Sequence, residues 1–330
     1  MSNSETTPGG ALPTVRIEPV DKPHNMLALG CWPFGGREWG GQDDADSMAA
    51  METAFAAGIN HFDTAIAYGR GASERVVGRF LAGNGRREKV FLATKGNTPG
   101  ASGEEMTDSL DRSLANLDVD SIDLYYIHWP RKGKDMRPVM EALEAARRQG
   151  KIRAIGVSNF SVEQMEEVGE VGTINAHQLC YNLFWRYPER DVIPYCRDHN
   201  IAVVTYSTIA EGILTGKFPR EVRFGDDDHR RNGVLFDPEV WPHVYDAVER
   251  LKAVAAGARR PLVELAIRWV ASRPSVTSAL VGARNAAQAA QNSAAMRGDV
   301  PHDVLESMTA ISDEAILHVP DVGNIFRWYP

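Results

Sequence analysis

Three residues that can carry proton chemistry, Asp63, Lys95 and His128, each close a predicted β-strand. The strand ends lie roughly 30 residues apart, which is the length of a strand, a helix and two loops. An aspartate at the end of an apolar strand is costly to bury without a cation, so Asp63 requires a basic partner nearby. Tyr68 follows Asp63 in the next loop. Where such strand ends converge, all four side chains share one site.

An Asp, a Lys, a His and a Tyr held together can polarise a carbonyl group and deliver a proton to its oxygen. Tyr68 is the expected proton donor, with its pKa lowered from about 10 by a neighbouring ammonium. A metal site is not expected, because one His and one Asp beside a repelling Lys form a poor ligand set. A lyase or isomerase that uses Lys95 covalently stays open, although Asp63 would hold that lysine protonated.

The elements that must position these residues are predicted strands and helices that alternate between residues 26 and 281. The predicted strands cover residues 26–30, 59–63, 90–95, 122–128, 152–158, 176–182, 202–207 and 278–281. The predicted helices cover residues 47–57, 73–81, 104–117, 138–149, 162–168 and 192–198, with a long helical region at 238–273. Eight such units predict an α/β fold, the (β/α)8 TIM barrel. A doubly wound open sheet is the alternative, but its Gly-x-Gly-x-x-Gly turn is absent from the sequence.

Two further segments complete the predicted architecture. A short N-terminal hairpin, built from residues 15–17 and the run that starts at residue 26, precedes the barrel, and a long loop follows the seventh strand. Residues 1–12 are predicted to be a disordered tail. Residues 13–330 then form one domain, which is within the size range of a single barrel.

Composition narrows the class of protein. Of the 330 residues, 43% are hydrophobic and 24% are charged, and the sequence contains no apolar run long enough to suggest a membrane span. The net charge of -8 argues against nucleic acid or an anionic membrane as partner. Three cysteines without metal-ligand spacing, and an N-terminus without a secretory signal, indicate a cytoplasmic protein. The expected partner is a small molecule, and the sequence does not distinguish a monomer from a homo-oligomer.

Several motifs, taken in order, resemble those of the aldo-keto reductases. They occupy residues 62–69, 93–95, 123–130, 150–160 and 281–284, and the resemblance extends from about residue 26 to about residue 300. The long loop after the seventh strand and the Ile-His-Trp-Pro segment at 127–130 are most similar to bacterial members related to general stress proteins.

The resemblance implies a catalytic tetrad of Asp63, Tyr68, Lys95 and His128. In that assignment Tyr68 is the general acid in carbonyl reduction and the base in alcohol oxidation, and Lys95 lowers its pKa. Asp63 pairs with Lys95, while His128 orients the substrate oxygen. Trp32 and Trp129 lie just beyond strand ends and are the expected substrate wall, together with Tyr68 and His128.

The resemblance also implies a nicotinamide cofactor that lies across the barrel mouth. Ser158, Asn159 and Gln178 would hold the carboxamide, and Tyr206 would stack on the nicotinamide ring. The remaining expected cofactor contacts are Gly30, Trp32, Asp63, Ser207, Ile209, Gly212, Leu214, Gly216, Lys217, Gly282, Arg284, Gln288 and Asn292.

By the same resemblance, Arg284, Gln288 and Asn292 lie where relatives hold the adenosine ribose and its 2′-phosphate. Arg284 then favours NADP over NAD, because a guanidinium matches a phosphate dianion with paired hydrogen bonds, and NAD is expected to bind with lower affinity. Glu211 departs from the pyrophosphate loop of relatives, and we expect it to turn outward or to pair with Lys217 or Arg223. Residues 224–231 are either a lid over the cofactor or a solvated charged loop.

The sequence thus predicts an NADP(H)-dependent oxidoreductase that interconverts aldehydes, ketones or sugars with alcohols by hydride transfer. The alternative is a non-catalytic NADP-binding regulatory or sensor subunit of the same fold.

Overall fold

Eight parallel strands close into a barrel in the computed structural model, which describes residues 12–36, 41–225 and 228–327. An antiparallel hairpin of β1 (Thr14–Val15) and β2 (His24–Asn25) precedes the barrel. The barrel strands are β3 (Leu27–Gly30), β4 (His61–Asp63), β5 (Phe91–Gly96), β6 (Ile122–Ile127), β7 (Ile152–Ser158), β8 (Ala176–Cys180), β9 (Ala202–Tyr206) and β10 (Val276–Gly282). They pair in chain order, and β10 closes the ring against β3.

Helices surround the strands and connect them. They are α1 (Asp44–Ala56), α2 (Ala72–Leu81), α3 (Arg86–Lys89), α4 (Gly103–Leu117), α5 (Arg137–Arg148), α6 (Val162–Gly169), α7 (Val192–Asp198), α8 (Trp241–Gly257), α9 (Leu262–Ala271), α10 (Ala286–Ala294) and α11 (His302–Ala315). Short 3-10 helices cover Trp32–Gly35, Tyr187–Glu189, Ala210–Thr215, His229–Asn232, Val234–Phe236 and Ile316–His318. None of the helices in the described ranges combines the length and the apolar character needed to cross a membrane.

The predicted (β/α)8 barrel, its N-terminal hairpin and the long loop after the seventh strand are confirmed. The hairpin pairs Thr14 with Asn25, so its second strand ends before the first barrel strand begins. The long helical region predicted at 238–273 is two helices, because Pro261 cannot continue a helix and Arg259 before it has a φ of 53°. Residues 1–11 of the predicted tail lie outside the described residues, and Leu12 is buried.

Local sequence sets where several helices start. Ser102 accepts a hydrogen bond from the backbone N–H of Glu105, whose side chain accepts one from the backbone N–H of Ser102. Ser161 and Gln164 form the same reciprocal cap at the start of α6. Each cap satisfies backbone donors that the first helical turn leaves unpaired. The helices after β5 and β7 therefore begin at fixed positions near the carboxyl ends of those strands.

The barrel interior is filled by side chains of the strands and by the hairpin. Small residues such as Ala93 and Ala154 pack there with larger ones such as Phe91 and Tyr126. Ile17 and Val20, from the turn of the hairpin, are buried in the same cluster. The hairpin thus packs into the barrel at the amino ends of the strands, opposite the end where the polar residues collect.

Two buried histidines lie beside the hairpin. The ring of His24 is 4.8 Å from that of His61 and 4.2 Å from that of Phe91. His61 Nδ1 lies 3.1 Å from the hydroxyl of Ser278, while both ring nitrogens of His24 have no partner among the described residues. Burial lowers the pKa of His24 from 6.5 to about 4, and it lowers that of His61 well below 6.5. Both imidazoles are therefore neutral in the folded protein at neutral pH.

We predict that His24 makes the fold sensitive to acid. The unfolded chain takes up a proton at His24 below pH 6.5, whereas the folded chain does so only near pH 4, so stability falls as pH drops through this window. For His24→Phe, the loss of unfolding free energy between pH 7 and pH 4.5 should be smaller than in the unmodified chain by about 2 to 3 kcal/mol.

Urea denaturation at both pH values measures this difference. The matched control is His302→Gln, which removes a histidine that is exposed on α11. Equal pH dependence in His24→Phe and in the unmodified chain would contradict the prediction.

Candidate active site

Lys95 is the centre of the polar cluster at the carboxyl ends of the strands. Its ammonium donates hydrogen bonds to Asp63 Oδ1 at 2.5 Å, to the backbone oxygen of Thr64 at 2.8 Å and to the hydroxyl of Tyr68 at 3.2 Å. An ammonium has three donors, and these contacts use all of them. Asp63 ends β4 and Lys95 lies near the end of β5, so the barrel itself brings the pair together.

Burial alone would lower the pKa of Lys95, but the Asp63 carboxylate and Tyr68 raise it above its usual value. The predicted pairing of Asp63 with Lys95 is thus present, and the lysine is held protonated. A protonated amine has no lone pair for attack on a carbonyl carbon, which weighs against the covalent alternative.

Tyr68 is held by a close approach of two loops. A Cβ added at Gly69 would lie 2.1 Å from the backbone oxygen of Gly35, so only glycine fits there. This contact sets the loop of Tyr68 against the 3-10 helix that carries Trp32. The Tyr68 hydroxyl accepts a hydrogen bond from Lys95, which leaves its own proton for another acceptor.

The pKa of Tyr68 differs in direction from the sequence-based expectation. Burial raises it, Lys95 pulls it down, and the balance lies above the usual value. The expected net lowering is therefore wrong, because the sequence pattern does not reveal how deeply the phenol is buried. At neutral pH the phenol is protonated, which is the state a proton donor requires.

His128 follows β6 and faces Tyr68. The two rings lie 5.9 Å apart at an angle of 81°. Burial, together with the positive charges of Lys95 and Arg131, lowers the pKa of His128 well below 6.5. The imidazole is therefore neutral at pH 7 and can donate a hydrogen bond without adding a second charge to the site. The structure thus brings together all four residues of the predicted tetrad.

The residues expected to hold a carboxamide lie on the neighbouring strand ends. Gln178 of β8 donates to Asp63 Oδ2 at 2.8 Å, which links this group to the tetrad. Asn159 has a φ of 64° and donates to Ser158 Oγ at 3.0 Å and to the backbone oxygen of His128 at 3.2 Å. Tyr206 of β9 donates its hydroxyl to Asn159 Oδ1 at 2.7 Å. The side chains of Ser158, Asn159, Gln178 and Tyr206 therefore form a continuous surface beside Lys95, which we call the ledge.

The loop at 207–217 has an unusual backbone. Ser207, Ala210 and Glu211 all have φ values near +50°, and Gly212 reaches 97°. Positive φ is costly for residues with a Cβ, and such strain clusters at functional sites. The other positions predicted to contact cofactor here vary in exposure: Leu214 is buried, Ile209 and Gly216 are half-buried, and Lys217 is exposed.

Glu211 lies differently from the sequence-based expectation. Its side chain is only 1% exposed, and its Oε1 lies 3.1 Å from His229 Nε2. It thus turns inward and contacts a histidine from the long loop, rather than turning outward or pairing with Lys217 or Arg223. The backbone departs from helical geometry at the same place, with φ values of 55° at Glu211 and 97° at Gly212.

Two residues of the segment proposed as a lid, His229 and Arg230, contact aromatic side chains. The ring of His229 lies 4.6 Å from that of Trp32, and the Arg230 guanidinium lies 5.6 Å from the centroid of the Phe218 ring. Residues 226 and 227 lie outside the described residues, so the lid interpretation stays a prediction for the whole stretch.

Arg284 lies at the far end of the proposed cofactor path. Its Nε donates to Gln42 Oε1 at 3.2 Å, one of its Nη groups donates to the backbone oxygen of Gly41, and its backbone N–H donates to Gln288 Oε1 at 2.8 Å. Asn292 donates to the backbone oxygen of Gly282 at 3.0 Å. Gly282 is paired in register with Gly30, so the two predicted glycines lie side by side on β10 and β3.

A cavity of about 310 Å³ lies beside this end of the path. Lys217 from the strained loop, Lys252 from α8 and Arg260 line it together with Gln291 of α10. Gln291 is on the helix that also carries Gln288 and Asn292. The cavity therefore adjoins the predicted adenosine contacts and presents several cationic groups.

Aromatic side chains surround the mouth above the tetrad. Trp32 stacks on Tyr68 with ring centroids 5.8 Å apart, and Trp129 lies 6.3 Å from His128. The sequence did not predict Phe326, which lies 5.9 Å from Trp32 and stacks parallel to Tyr206 at 6.1 Å. Phe326 is far in sequence from every barrel strand, so the pattern of residues at strand ends does not indicate it.

Comparison with known proteins identifies the family of the chain. The Aldo/keto reductase family model matches residues 26–313. The aldo-keto reductase YhdN of Bacillus subtilis is 36% identical over 273 residues, covering 80% of this chain and 82% of that protein. The NADH-specific methylglyoxal reductase of Escherichia coli is 32% identical over 297 residues, covering 82% and 90%.

A solved structure resembles the whole barrel. The glycerol dehydrogenase of Gluconobacter oxydans has a TM-score of 0.82 and 35% identity, covering 93% of this chain and 96% of that one. The predicted resemblance to bacterial aldo-keto reductases is confirmed by these matches. This chain belongs to the aldo/keto reductase family.

Proposed function

We propose that this protein is an NADP(H)-dependent oxidoreductase that interconverts aldehydes, ketones or sugars with the corresponding alcohols. The observation that carries the proposal is the contact of the Lys95 ammonium with both Asp63 and the Tyr68 hydroxyl. That arrangement places a protonated phenol beside a fixed positive charge, which stabilises the phenolate left after proton transfer.

The residues present fit a nicotinamide cofactor. The ledge of Ser158, Asn159 and Gln178 offers amide and hydroxyl groups to a carboxamide, and Tyr206 offers an aromatic face. Arg284 and the cavity lined by Lys217, Lys252 and Arg260 offer cationic groups to the adenosine end of the cofactor and its phosphates. When bound, the cofactor supplies or accepts the hydride.

The residues of the chain supply the rest of the reaction. In reduction, Tyr68 donates its proton to the carbonyl oxygen, and Lys95 stabilises the resulting phenolate. In oxidation, the phenolate of Tyr68 takes the proton of the alcohol. His128, being neutral, donates a hydrogen bond that orients the substrate oxygen. Trp32, Trp129 and Phe326 exclude water from the reacting atoms.

The substrates are expected to be small and polar. Two relatives are named for methylglyoxal reduction and glycerol dehydrogenation, which are reactions of three-carbon compounds. The same relatives do not settle the cofactor, since one is named as NADH-specific. The choice of NADP rests on Arg284, whose side-chain hydrogen bonds within the described residues go to neutral oxygens, so that its full charge is available to a 2′-phosphate.

We predict that Tyr68→Phe lowers kcat for carbonyl reduction by about 100-fold or more, because it removes a positioned proton donor. NADPH binding, measured by fluorescence titration, should stay unchanged. The matched control is Tyr195→Phe, since Tyr195 is a half-buried residue of α7 that stacks on His199 away from the site.

Near-normal turnover of Tyr68→Phe would refute the role of the phenol. Tight NADPH binding by the unmodified chain, without turnover on any member of an aldehyde, ketone and sugar panel in either direction, would favour the regulatory alternative instead.

We predict that Arg284→Ala raises the Kd for NADPH by about 10-fold or more, as expected for loss of a charge-assisted pair of hydrogen bonds. The Kd for NADH should change little, because NADH lacks the 2′-phosphate. Parallel titrations of both cofactors measure this, with Arg297→Ala as an exposed arginine control. Equal losses for the two cofactors would remove the 2′-phosphate contact from the assignment.

A further inference from the structure

We propose that Gln42 is a positioning residue that orients Arg284 and thereby sets discrimination between NADPH and NADH. This inference rests on the proposed function, since it concerns the same cofactor site. Gln42 lies before α1, far in sequence from β10 and α10, and it belongs to none of the motifs that resemble the family.

Gln42 and Arg284 are joined by two hydrogen bonds in opposite directions. Gln42 Nε2 donates to the backbone oxygen of Arg284 at 2.7 Å, and Arg284 Nε donates to Gln42 Oε1 at 3.2 Å. The side-chain amide of Gln42 thus forms hydrogen bonds with both the main chain and the side chain of Arg284. This fixes the guanidinium relative to the backbone from which it extends.

Gln42 is in turn held by hydrogen bonds at the start of α1. Gln42 Nε2 also lies 3.1 Å from the hydroxyl of Ser47, and that hydroxyl donates to the backbone oxygen of Asp43 at 2.9 Å. Asp43 caps the helix by accepting a hydrogen bond from Ala45. Because Nε2 has three acceptors within reach, the backbone oxygens of Arg284 and Asp43 and the hydroxyl of Ser47, Oε1 is the atom that accepts from the Arg284 guanidinium. The amide orientation therefore follows from the network.

The network leaves Arg284 able to bind an anion. Of its five N–H donors, one reaches Gln42 and one reaches Gly41, and Arg284 forms no ion pair within the described part of the chain. Both acceptors are neutral oxygens, so neither cancels the guanidinium charge. The Nη groups that remain can meet a phosphate with paired hydrogen bonds, and an arginine already held in place loses less side-chain freedom when it does so.

Only a side chain with both a hydrogen-bond donor and an acceptor at its end can form both hydrogen bonds with Arg284. Alanine removes both bonds and frees the guanidinium. Glutamate cannot donate to the backbone oxygen of Arg284, and its carboxylate would pair with the guanidinium in competition with a 2′-phosphate. The two substitutions therefore act on NADPH affinity by different routes and to different extents.

The test is the Kd of NADPH and of NADH for the full chain, measured by fluorescence titration. Gln42→Ala should raise the Kd of NADPH by roughly three- to tenfold, the effect of about one hydrogen bond, and should leave that of NADH within about twofold. Gln42→Glu should weaken NADPH more than Gln42→Ala does. In an Arg284→Ala background, Gln42→Ala should have no further effect on NADPH.

The control is Gln149→Ala, an exposed glutamine at the end of α5, which should leave both affinities unchanged. Thermal melts of each variant separate lost positioning from lost folding, because unfolding would weaken both cofactors together. Unchanged or tighter NADPH binding by Gln42→Ala overturns the inference, as does an equal loss for both cofactors. If the unmodified chain binds neither cofactor, the proposed function fails as well, and that result is distinct from the others.

Discussion

The buried ion pair between Lys95 and Asp63 is the constraint on which the site depends. A buried charge is tolerated only with a partner and with its hydrogen bonds satisfied, and here the partner comes from the neighbouring strand. The same ammonium contacts the Tyr68 hydroxyl and contributes to keeping His128 neutral. One positive charge thus influences the protonation of both residues that would touch the substrate oxygen.

Much of this arrangement can be predicted from the sequence, because it follows from barrel geometry. Residues at the carboxyl ends of adjacent parallel strands must be neighbours, so Asp63, Lys95 and His128 can be grouped before any coordinates exist. The net pKa of Tyr68 cannot be predicted in this way, since its direction depends on how far burial outweighs Lys95. The break between α8 and α9 at Pro261 is missed for another reason, because helical periodicity on both sides of the proline indicates one continuous helical region.

Contacts between loops were beyond prediction for a different reason. His229 and Phe326 reach Trp32 from segments with no regular spacing to a strand, and no periodic pattern indicates where such segments fold. Gln42 and Arg284 meet only because β10 closes the barrel against β3 and brings α10 beside α1. Residues at strand ends can thus be predicted from the local sequence pattern. The contacts between residues around the mouth depend instead on closure of the whole barrel.

The aromatic residues around the mouth come from separate segments of the chain, so they are not all made at the same stage of synthesis. The barrel strands are complete once β10 has been made, at Gly282, but the aromatic wall also needs Phe326, which leaves the ribosome later. Domains fold as the chain emerges, amino-terminal parts first. Tyr206 and Trp32 therefore acquire this aromatic neighbour only after all the strands of the barrel have been made.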